Sequence, residues 1–278
     1  MSKLLLITGV STGFGRALSE AALAKGYRVI GTVRNEADQA TFEALKPGRA
    51  FARQLDVTHT AAIAPMVAEL EKSVGPIEVL VNNAGYGFEG ILEESTLDEV
   101  RHQFDVNVFG VVAMIQAVLP GMRKRRSGRI LNITSMGGTI TFPGIGVYNG
   151  SKFALEGISE ALAKEVKGLG IHVTAVAPGG FRTDWAGRSM IRKERSIADY
   201  DEVFEPIRKR RQEMSGKQIG DPKKAADAML TLIEAENPPM HLLLGSDARK
   251  LVREKLDFLK SEFDAWEKLT LSTDVDAA

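Results

Sequence analysis

Cysteine does not occur among the 278 residues, which excludes disulfides, thiolate metal sites and a cysteine nucleophile. Its absence favours an intracellular protein, and we predict a cytoplasmic location. Histidine is scarce as well: the four histidines lie far apart and lack the spacing of metal ligands, so no metal site is expected. No Gly-x-Ser-x-Gly motif is present, which argues against the nucleophile of an α/β-hydrolase.

Neither a charge excess nor a long hydrophobic run is present. Basic and acidic residues number 36 each, so the basic surface typical of nucleic-acid binding is not expected. The N-terminal apolar run covers only residues 4–7, and a secretory signal needs roughly 7–15. The most apolar longer segment, residues 106–119, is shorter than the ~18 residues of a membrane span. We therefore predict no membrane span, and a helix that is buried on most sides or lies at a subunit contact.

Short β-branched runs alternate with amphipathic stretches, which is typical of βαβ units around a parallel sheet. The predicted strands cover residues 3–8, 28–33, 50–55, 79–82, 129–135, 172–177 and 241–244. Helical periodicity covers residues 15–25, 37–45, 61–74, 97–119, 148–168, 223–235 and 247–269. Several strands are apolar throughout, as expected where helices cover both faces. The sequence predicts a single doubly wound α/β domain with a seven-stranded, mostly parallel sheet.

Residues 181–220 depart from this alternation. They are highly charged, include the cluster Arg208-Lys209-Arg210-Arg211, and show no strand pattern. A mobile lid over a pocket fits this composition, and a plain surface excursion with two helices is the alternative. At the other end, residues 270–278 have the composition of a polar tail.

A glycine-rich turn follows the first predicted strand, from Thr8 to Gly15, and a helix follows the turn at once. Glycines there permit a tight turn and close approach of the backbone to a phosphate. The N-terminus of the helix then offers unpaired N–H groups to a pyrophosphate. Such turns also occur without a ligand, so the position between strand and helix is what indicates a dinucleotide site.

The end of the second predicted strand bears on the choice of cofactor. Val33 stands where an NAD-binding unit usually places an acidic residue, and Arg34 follows it. A guanidinium suits a 2′-phosphate, so we predict a preference for NADP(H), with NAD(H) possible. An ordinary solvent-exposed arginine is the alternative.

Tyr148 and Lys152 lie four residues apart in a predicted helix and therefore one turn apart on one face. A nearby ammonium favours the phenolate and lowers the pKa of a tyrosine. Such a tyrosine can exchange a proton with a carbonyl or alcohol oxygen during hydride transfer, and the hydroxyl of Ser135 could hold that oxygen. A pair with this spacing is, however, common on ordinary helix surfaces.

Together these blocks resemble the short-chain dehydrogenase/reductase family in its compact single-domain branch. The resemblance runs from Leu4 to about Asp247 and includes Thr8 to Gly15 and the motif Asn82-Asn83-Ala84-Gly85. It implies a Rossmann fold and a tetrad of Asn107, Ser135, Tyr148 and Lys152. In that tetrad Tyr148 is the acid/base, Ser135 orients the substrate oxygen, Lys152 binds the nicotinamide ribose, and Asn107 anchors a proton-relay water.

The resemblance also implies the cofactor contacts. Asp56 would lie beside the adenine, and Pro178 to Thr183 would form the loop that meets the nicotinamide carboxamide. The full predicted set is Gly9, Ser11, Thr12, Gly13, Phe14, Gly15, Arg34, Asp56, Val57, Asn83, Ala84, Gly85, Tyr148, Lys152, Pro178, Gly179, Phe181 and Thr183. We assign residues 1–246 to the dinucleotide-binding and catalytic domain, and residues 247–278 to a C-terminal helical extension.

The substrate is constrained less. Phe14 is similar to the residue of retinol- and 17β-hydroxysteroid-dehydrogenase-like members, which hints at a hydrophobic carbonyl or alcohol. The aromatics Phe142, Phe181 and Trp185 flank the tetrad and could line its pocket, although core packing is the usual role of such residues. The resemblance implies a homodimer or homotetramer. Two alternatives are a same-fold epimerase or dehydratase and a non-catalytic redox sensor that binds dinucleotide.

Overall fold

We describe the protein from a computed structural model, which covers residues 2–275. Within that range the strands are β1 (Leu4–Ile7), β2 (Arg28–Val33), β3 (Ala50–Gln54), β4 (Val79–Asn82), β5 (Gly87–Glu89), β6 (Gly128–Ile133), β7 (Ile171–Pro178), β8 (Met190–Arg192) and β9 (His241–Leu244). The helices are α1 (Gly13–Ala24), α2 (Glu36–Glu43), α3 (Thr60–Ser73), α4 (Leu97–Phe104), α5 (Gly110–Arg125), α6 (Gly146–Val166), α7 (Asp201–Glu213), α8 (Pro222–Glu234), α9 (Ser246–Ala265) and α10 (Glu267–Leu271).

Seven of these strands form one parallel sheet in the order β3-β2-β1-β4-β6-β7-β9. In its centre, Leu6 of β1 lies beside Ile30 of β2 and Leu80 of β4. The chain leaves β1 towards β2 on one side and continues from β4 on the other, so a crevice opens at the carboxyl ends of β1 and β4. The predicted doubly wound fold with a seven-stranded sheet is confirmed.

Two apolar layers cover the sheet, one on each face. Leu5 and Ile7 of β1 join the layer that includes α1 and α8, whereas Leu4 and Leu6 join the layer of α3, α5 and α6. Successive residues of a strand point to opposite faces, so a strand covered on both sides must be apolar at every position. This is why the central strands read as continuous apolar runs.

Two sequence expectations need correction. Residues 97–119 do not form one regular helix, because a π-helical turn at Asp105–Phe109 separates α4 from α5. The expectation that residues 181–220 contain no strand is wrong, since β8 pairs with β5 in parallel and places Met190 beside Gly87. A strand of three residues is too short to show an alternating pattern, so its partner across the fold determines it.

The continuous helical run Leu97–Arg125 is long and apolar enough, by length and composition alone, to cross a membrane. Its apolar side, however, packs into the core through Met114, Val118 and Met122, which are fully buried. A core helix of this kind passes the same composition test. The predicted absence of a membrane span therefore stays a prediction.

Helix α9 docks on the domain through Ala248 and Val252, and its second half extends into solvent. Phe263 and Trp266 are 68% and 65% exposed there. The start of α9 is tied to the domain by Asp247, whose Oδ2 accepts a hydrogen bond from the N–H of Gly180 at 2.7 Å. Part of the predicted tail, residues 276–278, lies outside the described residues.

Candidate active site

A cleft of about 920 Å³ opens at the carboxyl ends of the central strands. All but two of the site residues predicted from the sequence line it: Gly9, Ser11, Thr12, Gly13, Phe14, Arg34, Asp56, Val57, Asn83, Ala84, Gly85, Ser135, Tyr148, Lys152, Pro178, Gly179, Phe181 and Thr183. The two others, Gly15 and Asn107, are buried behind its walls. Carboxyl ends of parallel strands meet at one edge of a sheet, which brings these distant segments together.

The glycine turn forms one end of the cleft. Helix α1 begins at Gly13, and no side chain caps its N-terminus, so its first N–H groups remain available to a ligand. Gly15 allows the turn to close: a Cβ atom there would lie 2.2 Å from the carbonyl oxygen of Gly9 and 2.5 Å from the Asn83 amide nitrogen. An uncapped helix start that lines a cleft fits the pyrophosphate of a dinucleotide.

Asn83 locks the ends of β1 and β4 together. Its side-chain amide donates to the carbonyl oxygens of Thr8 and Gly9 at 2.9 and 2.8 Å. The hydroxyl of Thr8 in turn accepts from the backbone N–H groups of Asn83 and Ala84. These bonds hold the floor of the cleft in a fixed shape, which explains why the Asn-Asn-Ala-Gly motif lies beside the glycine turn.

Arg34 lies at the outer rim of the same end, just after the buried last residue of β2. Partial burial would raise the pKa of Asp56, but hydrogen bonds from Thr58, with a smaller contribution from the charge of Arg34, lower it overall. Asp38 also lines this rim, and Asn35 donates to its carboxylate at 2.9 Å. A cationic and an anionic group therefore border the position that an adenosine ribose would occupy.

Tyr148 lies at the middle of the cleft and is 5% exposed. Burial raises the pKa of Tyr148 to about 12, and a hydrogen bond from the Ser135 side chain opposes part of this rise. The pKa of Tyr148 is therefore raised overall, which contradicts the expectation of a lowered value beside Lys152. The ammonium of Lys152 lies 5.9 Å from the centroid of the tyrosine ring, and the removal of water from the phenolate outweighs it.

Lys152 is buried behind the tyrosine, and its Nζ donates to the carbonyl oxygen of Ile133 at 2.8 Å. Burial lowers the pKa of Lys152 to about 8, against the opposing charge of Glu156. Ser135 caps the short helical turn that follows β6 and accepts from the N–H of Gly137 at 2.9 Å. The structure thus brings Ser135, Tyr148 and Lys152 together in one cleft.

Asn107 occupies the π-helical turn and is fully buried. Its Oδ1 accepts from the N–H of Tyr86 at 3.2 Å, and its Nδ2 donates to the Tyr86 carbonyl and to the Ser151 hydroxyl at 3.1 Å each. Its side chain thus links the segment after β4 to helix α6. Single π-helical turns are frequent at functional sites because they redirect one side chain inward.

The other end of the cleft is apolar. Phe142 and Trp185 line it as the sequence suggests, and the Trp185 ring lies 5.1 Å from that of Tyr148. Phe181 also lines the cleft, but its ring packs on Phe14 of the glycine turn, with 5.1 Å between the ring centroids. Phe88, by contrast, is a core residue. Helix α7, within the segment predicted as a lid, contributes a wall formed by Ile207, Arg210, Arg211 and Met214. Sequence reasoning did not single out these four residues, for which the arginine cluster was the only sequence signal.

Helix α7 packs firmly on the domain. Phe204 is buried against Gly144, and the carboxylate of Glu94 accepts hydrogen bonds from the N–H groups of Ser196 and Ile197 at 2.7 and 2.8 Å. The segment predicted as a lid therefore closes one wall of the cleft. Among residues 2–275, no group of three or more metal-ligating side chains is placed to hold a metal ion.

The sequence of residues 3–193 matches the family model described as short chain dehydrogenase. The chain belongs to the short-chain dehydrogenase family. Relatives with this family's chemistry are named as oxidoreductases and reductases, and the protein is accordingly an NAD(P)-dependent oxidoreductase that acts on CH–OH or carbonyl groups.

Similar proteins span the whole chain. A short-chain dehydrogenase structure from Streptomyces avermitilis is 42% identical with a TM-score of 0.92, and covers 98% of each chain. "Oxidoreductase BOA17" of Botryotinia fuckeliana is 37% identical over 98% of this chain and 100% of its own. The "3-ketodihydrosphingosine reductase" of Bacteroides thetaiotaomicron is 37% identical, and the match covers 87% of this chain and 88% of that protein.

Solved neighbours of this short-chain dehydrogenase hold either nicotinamide cofactor. ElxO, solved with NADP bound, is 26% identical with a TM-score of 0.72, and the match covers 87% of this chain and 96% of that one. A Burkholderia phymatum neighbour in complex with NAD is 22% identical, with a TM-score of 0.82 and coverage of 94% and 95%, and shares the fold.

Proposed function

We propose that this short-chain dehydrogenase interconverts an alcohol and a ketone or aldehyde with NADP(H), with Tyr148 as the acid/base. The observation that carries the proposal is the position of Tyr148. Its hydroxyl-bearing ring lies between the glycine-turn end and the apolar end of one cleft, with Ser135 and Lys152 beside it. A proton donor at that junction can meet a carbonyl oxygen whose carbon faces a bound nicotinamide.

Tyr148 holds its proton at neutral pH, as the ordinary tyrosine pKa near 10 already ensures, and burial raises this pKa further to about 12. It can therefore donate that proton to the carbonyl oxygen, while the hydroxyl of Ser135 holds the same oxygen. The nicotinamide, when bound, supplies the hydride to the carbonyl carbon. In the reverse direction Tyr148 must first lose its proton, and a raised pKa makes that step costly.

Lys152 assists this proton transfer. Its ammonium is buried beside the tyrosine and bonds to Ile133 through one of its three N–H groups, so two remain for the nicotinamide ribose. Its positive charge stabilises the phenolate that forms when the proton leaves. Asn107 completes the proposed tetrad, and through Tyr86 and Ser151 it holds the cleft wall against α6. The family resemblance assigns it the further role of anchoring a relay water.

The residues at the other end suit NADP(H). The uncapped start of α1 and the tight Gly9–Gly15 approach fit a pyrophosphate, and Asp56 and Val57 border the adenine end. The guanidinium of Arg34 is exposed at the rim and can pair with a 2′-phosphate. Asp38 opposes that charge at the same rim, although its carboxylate already accepts a hydrogen bond from Asn35. The loop from Pro178 to Thr183 is proposed to meet the carboxamide.

We propose a hydrophobic carbonyl compound as the substrate. The cleft wall beyond Tyr148 is built from Phe142, Trp185, Ile207 and Met214, whose side chains favour an apolar substrate body. The similar protein named 3-ketodihydrosphingosine reductase supports a ketone rather than a sugar as the reacting class. The phenylalanine at position 14, which is similar to the choice in retinol- and hydroxysteroid-dehydrogenase-like members, also supports a hydrophobic substrate.

Two alternatives make different use of the cofactor. An epimerase or dehydratase would hold the dinucleotide tightly and leave it unconsumed, whereas a redox sensor would bind it without turnover. The assembly of Tyr148, Lys152 and Ser135 in one cleft favours catalysis over the sensor, and consumption of the cofactor distinguishes net hydride transfer from the epimerase or dehydratase.

We further propose a cytoplasmic homodimer or homotetramer, in which residues 1–246 form the catalytic domain.

Helix α9 offers a contact between two copies. The apolar face by which it docks on its own domain, Ala248 and Val252, continues outward as Leu256, Leu259 and Phe263. Residues 249–260 hold five basic and two acidic side chains, and residues 262–274 hold four acidic and one basic. Two antiparallel α9 helices from two copies would therefore pair opposite charges around an apolar seam. Light scattering should show a smaller species for Phe263→Glu than for Phe258→Glu, which lies off the seam.

The deciding experiment titrates the purified protein with NADPH and NADH in parallel and then screens ketones and aldehydes. We expect tighter binding of NADPH, and one NADPH consumed for each alcohol formed. Tightly bound cofactor that is never consumed would instead favour the epimerase or dehydratase. Binding without turnover of any carbonyl would favour the sensor.

A further inference from the structure

Arginines concentrate on one side of the apolar end of the cleft. Arg210 and Arg211 of α7 line it, together with Arg188 of the segment that precedes β8. The one carboxylate that lines the same end is Asp184, which pairs with Arg188 at 3.0 Å. Among the described residues that line this end, two guanidinium charges therefore have no carboxylate facing them from within the cleft.

Arg211 is held in place from behind. The carboxylate of Glu89 on β5 is 1% exposed, does not line the cleft, and pairs with Arg192, Arg208 and Arg211. A second N–H group of Arg211 donates to the carbonyl oxygen of Pro143 at 3.2 Å. A guanidinium carries five N–H groups, so these contacts fix its plane and leave others for a ligand.

The other charges around α7 do not neutralise this wall. Glu205 and Asp201 are exposed and pair with Arg195, and Glu205 also meets Arg208 at 3.5 Å. Glu94 pairs with Arg195, and neither residue lines the cleft. Arg210 is exposed, and no other residue among 2–275 forms a hydrogen bond or ion pair with its guanidinium group.

We propose that Arg210 and Arg211 form an anion-binding subsite for the substrate, with Glu89 as the residue that positions Arg211. This inference rests on the proposed function, since it names the substrate class of the same cleft. The substrate is a carbonyl compound whose carbonyl faces Tyr148, whose apolar body lies along Phe142 and Trp185, and whose far end carries a carboxylate or a phosphate. Planar guanidinium groups bind both anions through paired hydrogen bonds.

The test compares matched substrates. A series of oxo-carboxylic acids with different distances between carbonyl and carboxylate is assayed with NADPH beside the corresponding methyl esters. The wild-type enzyme should have a higher kcat/KM for one acid than for its ester, because only the acid reaches the subsite. A parallel series of oxo-alkyl phosphates shows which anion is preferred.

Three variants locate the effect. Arg211→Gln and Arg210→Gln should each raise KM for the acid about tenfold to a hundredfold, as expected for loss of a charged hydrogen bond. KM for the ester should change by no more than about twofold. Arg208→Gln is the control, since Arg208 shares Glu89 but does not line the cleft. Arg208→Gln should change KM by the same factor for the acid and for the ester. Arg210 is exposed, so its variant keeps the test decisive even where Arg211→Gln does not fold.

Binding without chemistry separates this proposal from the proposed reaction. In a Trp266→Phe background, octanoate should quench the fluorescence of Trp185, and octanol should quench it less. Arg211→Gln should weaken the binding of octanoate and leave the binding of octanol unchanged. If octanoate binds in this way but no carbonyl is reduced, the subsite stands and the reductase proposal fails. An acid and its ester with equal kcat/KM, or equal losses for both in Arg211→Gln, would overturn the subsite.

Discussion

Replacement of Glu94 by glutamine should loosen the segment that closes the apolar end of the cleft. The side chain of Glu94 is fully buried. One of its oxygens accepts from the N–H groups of Ser196 and Ile197, and the other accepts from Nε of Arg195 at 2.8 Å. Burial alone would raise its pKa, but these hydrogen bonds outweigh burial and lower the pKa of Glu94 to about 2.

The expected cost follows from these contacts. Glutamine keeps one oxygen for the two backbone N–H groups but turns an amide N–H towards Arg195, so one charge-assisted bond is lost. Such bonds contribute about 1.5–3 kcal/mol. We expect the free energy of unfolding to fall by about 2–3 kcal/mol, which corresponds to a melting temperature lower by roughly 3–5 °C in a chain of this size.

Thermal unfolding and hydrogen exchange over residues 195–213 measure the effect. Exchange should accelerate in that segment first, and KM for the carbonyl substrate should rise. Glu93→Gln is the matched control, because Glu93 is exposed and bonds only to the Tyr200 hydroxyl among its described contacts. An unchanged melting temperature together with unchanged exchange in Glu94→Gln would refute the argument. The lowered pKa also means that this stabilisation is complete above pH about 4.5 and is lost as the pH falls towards 2.

Three further predictions concern the cofactor, the lysine and the α7 wall. Arg34→Ala should weaken NADPH binding about tenfold to a hundredfold and change NADH binding by no more than about twofold. If calorimetric titration gives the same ratio of NADPH to NADH affinity as in the wild type, the NADP assignment is contradicted. The rate of reduction should fall as the pH rises through about 8, where Lys152 loses its charge, and Lys152→Arg should move that fall to higher pH. Gly144→Ala should lower the free energy of unfolding by about 1–3 kcal/mol or more in thermal melts, because the new Cβ would lie 1.8 Å from the Phe204 ring at a φ of +76°. Gly146→Ala is the control: the space around Gly146 is open, so its free energy of unfolding should not fall in this way.

The fold was predictable because burial on both faces leaves a strong pattern. Strands β1 and β4 carry apolar residues at nearly every position, and the helices between the strands repeat with helical periodicity. The membership of the cleft was predictable for a related reason. Turns that follow parallel strands meet at one edge of the sheet, so motifs that are distant in sequence converge there.

Sequence reasoning failed where an environment, rather than a residue type, decides the property. Glu89 and Glu94 read as ordinary surface carboxylates until Arg211 and Arg195, more than a hundred positions away, pack over them. The pKa of Tyr148 is a second example. Spacing puts Lys152 one turn away, but only the packed structure shows that burial of the phenol has the larger effect.

The most direct test of the central claim is single-turnover reduction of a carbonyl substrate by NADPH-loaded protein, with wild type and Tyr148→Phe compared at neutral pH. Phenylalanine keeps the ring that packs on Trp185 and removes only the proton donor. We predict a rate lower by about 10²–10⁴-fold, the usual effect of losing a general acid, with NADPH binding retained. A Tyr148→Phe protein that kept the full wild-type rate would contradict the assignment of Tyr148 as the acid.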